Sequence, residues 1–531
     1  MLNTVTNSSR KCMESLYRTR VFKTLTNSNV ISYRTQVSLS PAPDKAEYST
    51  FSSASNQPLK DTDPEMWELI NAEKQRQMSY LELVASENFT SRAVLECNGS
   101  CLTNKYAEGY PNQRLPRGVS VIDKIEQLTQ KRLLELFKLK PTNKSLDEAD
   151  WGVNVQVFSG SPANMAVYTA LLKPNDRIMG LRYIDGGHPT HGYFNKHKNL
   201  SAASIFFNTI PYSLNPETEY IDYDMLERDA KLINPKLMIA GICTYPRLLD
   251  YEKFRKICDS VGAILLADMA HISGLVAAET LPSPFMHADV VTSTTHKTLR
   301  GPRSGVIFYR RKPRSTEQHQ CAYQTIPVEE YEKRINEAVF PGLQSGPHEN
   351  TIAAVGSMAI EAATADFQRY AQQVLSNSQT LAQCLLSKGI ALVTGGTDIH
   401  FVVVDLSKSP SQRGLGRGDA SLVQIIADMV GISLSAVCVP SDENTNRPSG
   451  LRIGTPALTS RGFLNKDFEN VANLIEEVLK LTSDAKKVTD DIQKFSLAVK
   501  GSPNLRFRIQ QLRQSVSDFA LSFPMPGHCD I

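Results

Sequence analysis

Short apolar runs fill the middle of the chain, and patterns with a helical period lie on either side of them. Apolar residues recur at helical spacing in "PEMWELINAEKQRQMSYLELVAS", which begins at residue 64, in a long stretch from 348 to about 388, and in two segments at about 466–500 and 504–521. Between residues 150 and 311 the pattern predicts strands at "VNVQVFSG", "DRIMGL", "SIFFNTI", "KLMIAGICTY", "AILLADMA", "DVVTSTT" and "GVIFYRR", and a helix at "YEKFRKICDSVG".

This alternation of apolar strands with helices predicts an α/β fold whose large domain holds a mostly parallel, buried sheet. Two further strands, "HFVVVDL" and "SGLRIGTP", with helices around them, predict a smaller C-terminal α/β domain. We therefore expect an N-terminal helical arm at 63–118, a large domain at 119–345 and a small domain at 346–531. Ligands of such sheets bind at the carboxyl ends of the strands, so candidate chemistry is sought there.

The first 43 residues differ from the rest of the chain. They are rich in Ser, Thr and Asn and contain one acidic residue, Glu14, against six basic ones: Arg10, Lys11, Arg18, Arg20, Lys23 and Arg34. This composition is typical of a mitochondrial transit peptide, and a disordered basic tail is the alternative. Residues 44–62 have the composition of a linker.

The overall composition narrows the possible partners. With 41% apolar and 21% charged residues and a net charge of +3, the 531-residue chain resembles an ordinary soluble protein of two or three domains. Basic residues do not cluster in its body, which argues against nucleic acid, and no apolar run is long enough for a membrane span. The nine scattered cysteines lack the spacing of a metal site and are read as thiols, so no metal is expected.

Three features place chemistry at the predicted strand ends. "FSGSPAN" (158–164) follows a strand and opens a helix, where Ser161 is expected to cap free N–H groups that bind an anion. Asp268, followed by His271, ends an apolar strand and needs a cationic partner to stay charged. Lys297 also lies at a strand end, and burial would lower its pKa and leave a nucleophilic amine.

Each feature alone has an ordinary structural explanation: a helix cap, a salt bridge, or a lysine whose charged end reaches solvent. Together they supply a phosphate site, a carboxylate for a pyridinium nitrogen and an amine for a Schiff base. Those are the requirements of pyridoxal 5'-phosphate, PLP.

A set of longer motifs carries a resemblance to a known family. They are "LVASENFTS" (83–91), "NKYAEGYP" (104–111), "SGSPAN" (159–164), "DGGHPTHG" (185–192), "ADMAHISGLVAA" (267–278), "TTHKTLRGPRSG" (294–305) and "RPSGLRIGTPALTSRG" (447–462). In this order, from about 63 to 528, the chain resembles serine hydroxymethyltransferase. The resemblance implies the aminotransferase-like fold of PLP enzymes, fold type I, and the interconversion of serine plus tetrahydrofolate with glycine plus 5,10-methylenetetrahydrofolate.

The resemblance also implies roles for single residues. Lys297 would hold PLP as a Schiff base, and Asp268 would keep the pyridine nitrogen protonated. His188 would stack on the ring, and His271 would lie near the ring oxygen. The remaining implied cofactor contacts are Ser159, Gly160 and Ser161 at the phosphate, Tyr106 from a neighbouring subunit, Cys243 in place of a family serine, and Gly346.

For the substrate, Arg452 aided by Ser86 would bind the carboxylate, for which a planar guanidinium is suited. Glu108 would manage the proton of the serine hydroxyl while the Cα–Cβ bond breaks. The resemblance thus implies a site shared between the subunits of a homodimer or homotetramer.

Several positions depart from the family pattern on the folate side. Leu115 and Pro116 stand where the family has two tyrosines, Pro189 and Tyr183 replace leucines, and Val437 and Ile399 replace asparagines. On the other side, Ser345 replaces a glycine, and Glu349 with Asn350 replaces Asn-His.

Three functions therefore stay open at the level of sequence. The first is a serine hydroxymethyltransferase of the mitochondrial matrix. The second is a folate-independent PLP enzyme, such as an aldolase acting on β-hydroxy amino acids. The third is a non-catalytic relative with a regulatory or structural role.

Overall fold

The computed structural model describes residues 55–140, 145–196, 198–314, 326–409 and 414–527. The predicted transit peptide and most of the predicted linker lie outside the described residues. The chain divides into two compact units, Met1–Asn71 and Ala72–Ile531. In the described part of the first unit, Lys60 lies over the Trp67 ring, 5.2 Å from its centroid.

Fourteen strands are found in the described residues. In chain order they are β1 Leu81–Glu82, β2 Gly109–Tyr110, β3 Gln113–Arg114, β4 Trp151–Asn154, β5 Arg177–Met179, β6 Asn208–Thr209, β7 Leu237–Gly241, β8 Ile264–Asp268, β9 Val290–Thr294, β10 Gly305–Arg310, β11 Phe401–Asp405, β12 Ile432–Ser433, β13 Ser435–Val437 and β14 Gly450–Gly454.

Seventeen α-helices accompany them in the same part of the chain. They are α1 Leu59–Thr62, α2 Pro64–Ser79, α3 Arg92–Asn98, α4 Ser120–Leu136, α5 Gly160–Leu171, α6 Ala202–Phe206, α7 Tyr223–Ile233, α8 Tyr251–Val261, α9 Ser273–Ala277, α10 Tyr331–Glu337, α11 Glu349–Ala362, α12 Ala365–Ser387, α13 Ala420–Met429, α14 Pro456–Ser460, α15 Asn465–Lys486, α16 Ile492–Gly501 and α17 Pro503–Leu521.

The large sheet has seven strands in the order β4-β10-β9-β8-β7-β5-β6. Strand β10 runs antiparallel to β4 and β9, and the remaining pairs are parallel. Every residue of β7, β8, β9 and β10 is buried, as expected for strands that are covered on both faces. This mixed, mostly parallel α/β sheet confirms the predicted fold class.

The register of the central strands decides where the site can form. Asp268, the last residue of β8, lies opposite Gly241 of β7 and Thr292 of β9. The turn that follows β9 carries Lys297, so two of the predicted site residues leave the sheet at one edge.

A second sheet has three antiparallel strands in the order β11-β14-β13, and Arg452 lies in its central strand. Helices α12, α13, α15, α16 and α17 contribute to its hydrophobic core. The core around the large sheet also includes residues from Ile352 to Val374, on α11 and α12. The predicted domain boundary at 345/346 stays a prediction.

Predictions for four elements differ from the structure. The helical pattern that begins at residue 64 ends at Ser79 and strand β1 follows it, and the stretch from 348 to about 388 forms two helices, α11 and α12. "SIFFNTI" was expected to be a strand, but it forms the end of helix α6 and the two-residue strand β6. The predicted helix at about 466–500 is two helices, α15 and α16, because Asp491 caps a new helix with a hydrogen bond from the Gln493 N–H.

The described cysteines are all free thiols: Cys97, Cys101, Cys243, Cys258, Cys384 and Cys438. None of the helices within the described ranges combines the length and the apolarity that crossing a bilayer requires.

Candidate active site

A cavity of about 710 Å³ opens where β8 and β9 end. Ten of the residues singled out from the sequence line it: Ser86, Ser159, Gly160, Ser161, His188, Cys243, Asp268, His271, Lys297 and Arg452. They come from segments far apart in the chain, which the two sheets bring to one place.

Lys297 is 9% exposed and lies in the turn after β9. Its backbone carbonyl accepts hydrogen bonds from the Asn88 side chain (2.9 Å) and the Arg300 N–H (3.1 Å), which fix the turn. Burial lowers the pKa of the Lys297 ammonium; Cys243 and Asp268 act against this, while the positive charges of Arg452 and Arg303 lower the pKa further. The site therefore eases the loss of the proton that a nucleophilic amine must give up.

Asp268 stays ionised although it is buried. Burial by itself raises the pKa of Asp268, but hydrogen bonds to its Oδ2 from His191 Nε2 (3.0 Å) and Asn164 Nδ2 (2.8 Å) hold it well below its usual range. Its Oδ1 accepts from the Ala270 N–H. The side-chain partners of this carboxylate are thus the His191 ring and the Asn164 amide, and the expected cationic partner stays a prediction.

The segment 188–191 orients two imidazoles. The Thr190 N–H donates to His188 Nδ1 (3.2 Å), and the His188 N–H donates to His191 Nδ1 (3.2 Å). Both rings therefore leave Nε2 free to donate, and Nε2 of His191 points at Asp268. Burial lowers the pKa of His188 to about 3, so it is an uncharged ring on the cavity wall.

The cavity also meets the first turn of α5. The cap of this helix is Ser159, two residues before the predicted Ser161, and its side chain makes no capping hydrogen bond. The hydroxyls and N–H groups of this turn are therefore available to an anion, to which the helix dipole also contributes. The backbone of this turn packs closely against β9, because a Cβ on Gly160 would lie 2.7 Å from Thr294 Cγ2.

Arg452 enters the cavity from the second sheet. Its NH1 donates to the Cys243 carbonyl (2.8 Å) and approaches the Cys243 sulfur (3.5 Å), while its buried Nε has no hydrogen-bond partner. Ser86 reaches the same cavity because its segment packs against β14, where the Gly454 N–H donates to Leu83 O (2.8 Å). A guanidinium with an unused donor is suited to a carboxylate ligand.

The other three predicted site residues lie together at a second place. Tyr106 is 59% exposed, and its hydroxyl lies 3.1 Å from Ser345 Oγ, which donates to Glu108 Oε1. Gly346 lies beneath the Tyr106 ring, because a Cβ there would be 3.0 Å from Cζ. These residues do not line the cavity that holds Lys297 within one chain.

The substituted positions are also separated. Tyr183, Pro189 and Val437 line the cavity. Ile399 is buried in the core at 1% exposure, and Leu115 is 69% exposed. The departures from the family pattern thus reach the cavity wall at three places.

Other cavity or supporting residues were not assigned from the sequence. Thr294, His296 and Arg303 line the cavity, Asn164 and His191 hold Asp268, and His400 lies 3.4 Å from His271. Asn164 and His191 could have been found, because they stand three residues after Ser161 and His188 in motifs already noted. His400 could not, because it is distant in sequence.

These side chains fit PLP. The phosphate matches the anion site at the start of α5, the pyridinium nitrogen matches the ionised Asp268, and the aldehyde matches the Lys297 amine, whose pKa burial lowers. The described residues contain no group of three or more His, Cys, Asp or Glu side chains that could hold a metal ion.

Comparisons with known proteins agree with this chemistry. The family model described as serine hydroxymethyltransferase matches residues 59–475. The chain is 48% identical to the cytosolic serine hydroxymethyltransferase of Oryctolagus cuniculus, over 91% of this chain and 97% of the relative. It is 46% identical to a serine hydroxymethyltransferase of Bombyx mori, over 89% and 98%. It is 47% identical to the chloroplastic serine hydroxymethyltransferase 3 of Arabidopsis thaliana, over 88% and 84%.

Proposed function

The chain belongs to the serine hydroxymethyltransferase family, and on that premise we propose how its residues carry out the interconversion of serine plus tetrahydrofolate with glycine plus 5,10-methylenetetrahydrofolate. The observation that carries the proposal is the buried Lys297, whose pKa burial lowers, beside an ionised Asp268 in one cavity. PLP, the cofactor of this family, supplies an electron sink for the charge that develops on the amino acid.

The chain's own groups would hold and orient the reactants. We propose that Lys297 holds PLP, Asp268 keeps a proton on its ring nitrogen, and the start of α5 binds its phosphate. His188 offers an uncharged face for the ring, and the hydrogen bonds of Asp268 preserve its charge. We assign His271 and Cys243 to the remaining contacts of the ring and its surroundings.

Substrate binding falls to Arg452 and Ser86 in this proposal. The unpartnered Nε of Arg452 is a donor for the amino acid carboxylate, and the hydrogen bond to the Cys243 carbonyl fixes the plane of the guanidinium. A fixed carboxylate holds the Cα of the amino acid in one orientation, which favours one bond for cleavage.

We propose that Glu108, Tyr106 and Gly346 act in the cavity of a neighbouring subunit. The motif "NKYAEGYP" supports this role, and so does the exposure of Tyr106, which leaves its ring available to a second copy of the chain. Glu108 would hold and transfer the proton of the serine hydroxyl. The functional protein in this proposal is a homodimer or a homotetramer.

The mitochondrial matrix is the proposed location. The basic, Ser-rich and nearly acid-free composition of residues 1–43 supports it. A fusion of these residues to a fluorescent protein tests it: accumulation in mitochondria is expected, and a uniform cytosolic signal would contradict the assignment.

A folate-independent aldolase is the second candidate, and one observation favours it. Tyr183, Pro189 and Val437 on the cavity wall replace residues that the family pattern assigns to folate. The Val437 side chain has no hydrogen-bond donor or acceptor for a pterin. A polar edge of the pterin ring that is buried without a hydrogen-bond partner costs about 1 to 3 kcal/mol of binding free energy. Reduced coupling to tetrahydrofolate is therefore part of the proposal.

An absorbance titration of the purified full chain tests these functions. Glycine should change the spectrum of the bound cofactor, and tetrahydrofolate should then raise a band at longer wavelength. A glycine response without a folate response would favour the second candidate, and no response to either would favour a non-catalytic relative.

A lysine variant tests the central residue. Lys297→Ala should abolish the absorbance of covalently bound cofactor. Lys140→Ala should retain it, because Lys140 is a buried lysine outside the cavity that pairs with Glu135 at 3.4 Å. A bound spectrum that survives in Lys297→Ala would overturn the assignment.

A further inference from the structure

One guanidinium fixes the backbone on both sides of Glu108. NH1 of Arg114 donates to the carbonyl oxygens of Ala107 and Gly109, at 2.8 Å each. These are the residues directly before and after Glu108, and Arg114 belongs to β3, which pairs with β2. Arg114 thus holds the segment that presents the Glu108 carboxylate.

Arg114 is held in turn by α4. Its Nε donates to Asp123 Oδ1 (2.9 Å), and its NH2 donates to Glu126 Oε2 (2.6 Å). Gln156 Nε2 donates both to the Gly109 carbonyl (2.9 Å) and to Glu126 Oε1 (3.1 Å). Glu126 is therefore a fully buried, hydrogen-bonded partner of the guanidinium: burial raises the pKa of its carboxyl, and Arg114 and Gln156 act against that rise.

Glu349 adds a carboxyl group that receives no hydrogen bond from this cluster. It is 1% exposed, and neither of its oxygens has a hydrogen-bond partner. Its nearest cation is Arg114 NH1, at 3.9 Å, whose hydrogen bonds go to the two carbonyls. One guanidinium thus faces three acidic side chains, and a third negative charge at this place would be buried without compensation.

Several elements that pack on α11 carry titratable side chains. They are Asp123, Glu126 and Arg132 on helix α4, Arg114 on strand β3, Arg92, Glu96 and Cys97 on helix α3, Cys101 in the turn Cys101–Asn104, and Asp366 on helix α12. Of these, Glu126, Arg114 and Asp123 act on its titration. The charged groups that shift the pKa of Glu349 are thus two acidic side chains and one basic side chain.

We propose that Arg114 is the positioning residue for Glu108, and that protonated Glu349 keeps the segment 106–114 closed while its ionisation releases that segment. The proposal rests on the function assigned to Glu108 above. Ionised Glu349 repels Glu126 and competes for Arg114, so the carbonyls of Ala107 and Gly109 lose their donor. Opening the segment admits water to the new charge.

The pH window follows from the surroundings of Glu349. Burial raises the pKa of Glu349 to about 8, and the neighbouring Glu126 raises it further than Arg114 lowers it. The group is therefore protonated in the closed form up to about pH 8. The fraction that keeps its proton falls to about one tenth at pH 9.

Hydrogen exchange of the holoenzyme tests the release. In the wild type, the protection factors of the amides at 106–114 should fall about tenfold between pH 7 and pH 9 after correction for intrinsic exchange. Glu349→Gln, which keeps a neutral side chain of the same size, should retain protection across this range. Glu361→Gln is the matched control and should behave as the wild type, because Glu361 lies at the other end of the same helix and accepts a hydrogen bond from Ser91.

Activity measured in parallel tests the coupling to Glu108. The ratio of kcat for Glu349→Gln to that of the wild type should be near one at pH 7 and rise to about ten at pH 9, with KM for serine little changed. Arg114→Lys, which keeps the charge but cannot form this set of bonds, should lower kcat at every pH.

The release of segment 106–114 and the function assigned to Glu108 can be contradicted separately. If Glu349→Gln and the wild type share one exchange profile, the release is disproved, whatever the activity. If the exchange profiles differ as expected but Glu108→Gln keeps full kcat, the segment responds to pH while the function assigned to Glu108 is wrong.

Discussion

Asp268 shows how a buried charge is kept by hydrogen-bond donors. Asn164 is central to this arrangement, because its Nδ2 donates to Asp268 Oδ2 (2.8 Å) and to Thr190 Oγ1 (2.9 Å), and its Oδ1 accepts from Thr292 (2.7 Å). The same amide therefore fixes the carboxylate and, through Thr190, the imidazole of His188.

We expect Asn164→Leu to weaken PLP binding. The substitution keeps the volume but removes a donor from a buried carboxylate, which costs about 1 to 3 kcal/mol and corresponds to a rise in Kd of about 5- to 150-fold. The Kd is measured by absorbance after removal and readdition of the cofactor. Asn377→Leu is the matched control, since this buried amide bonds to Thr459 and Phe463 outside the cavity. Equal Kd values for wild type and Asn164→Leu would contradict the role.

At the scale of residues, the sequence predicted the groups that end apolar strands and missed the groups that support them. Lys297 and Asp268 stood out because a charged residue after a buried strand needs an explanation. His400 did not, because only the folded chain brings it within 3.4 Å of His271, 129 positions away. The cap of α5 was displaced to Ser159 because both serines fit a capping pattern and the backbone decides between them.

Helix α5 and strand β10 meet so closely that one glycine is required. A Cβ on Gly305, the first residue of β10, would lie 2.5 Å from the Ser159 carbonyl oxygen and 2.7 Å from its carbon. These are backbone atoms of the turn proposed to bind the phosphate, and they cannot rotate away as a side chain can. The position of β10 therefore sets the position of the anion site.

Gly305→Ala should displace the start of α5 and weaken PLP binding selectively. Because the phosphate depends on this turn, the Kd of PLP should rise more than that of pyridoxal, which has no phosphate. Gly416→Ala is the matched control, since a Cβ added there would meet no atom within 4 Å and the φ of Gly416 is not positive. A similar loss for both ligands would show that the anion site lies elsewhere.

Element types were predictable where apolar positions were buried, and less so where they were exposed. Strands β7 to β10 were predicted because every position in them is inside the protein. In α6, Ile205 and Phe206 are 58% and 53% exposed, so these apolar residues did not indicate a buried strand. Ser201 instead caps a short helix there, with a hydrogen bond from the Ala203 N–H.

The molecule as a whole assembles its site from two sheets. Lys297 and Asp268 come from the edge of the large sheet, and Arg452 comes from the centre of the three-stranded one. The sequence predicted both sheets but could not give their contact, which depends on close packing such as that of Gly454 against Ala85, where an added Cβ would lie 2.4 Å from the Ala85 Cα.

Buried ionisable groups of two kinds should give the whole protein a stability maximum near pH 6.5. Burial lowers the pKa of His296 and His400 to about 3 and that of His271 well below its usual range. These rings bind protons only after unfolding, so their contribution to stability rises with pH until about 6.5 and then stays constant. Burial raises the pKa of Glu82 and Glu349 to about 8.

Above pH 4.5, which is the ordinary pKa of a glutamate, these two carboxyls bind protons in the folded state and lose them on unfolding. Their contribution is complete below about pH 4.5 and is lost as the pH rises through about 8. Between pH 4.5 and 6.5 these three histidines and His188, whose pKa burial also lowers to about 3, outweigh the two glutamates. Above pH 6.5 the glutamates lower the stability, and Lys297, whose pKa burial lowers, acts in the opposite direction. The Tm measured by calorimetry should therefore rise to about pH 6.5, and the two glutamates should lower it towards pH 8. The double variant Glu82→Gln with Glu349→Gln should remove the fall and leave the rise, whereas an unchanged decline would assign the alkaline loss to other groups.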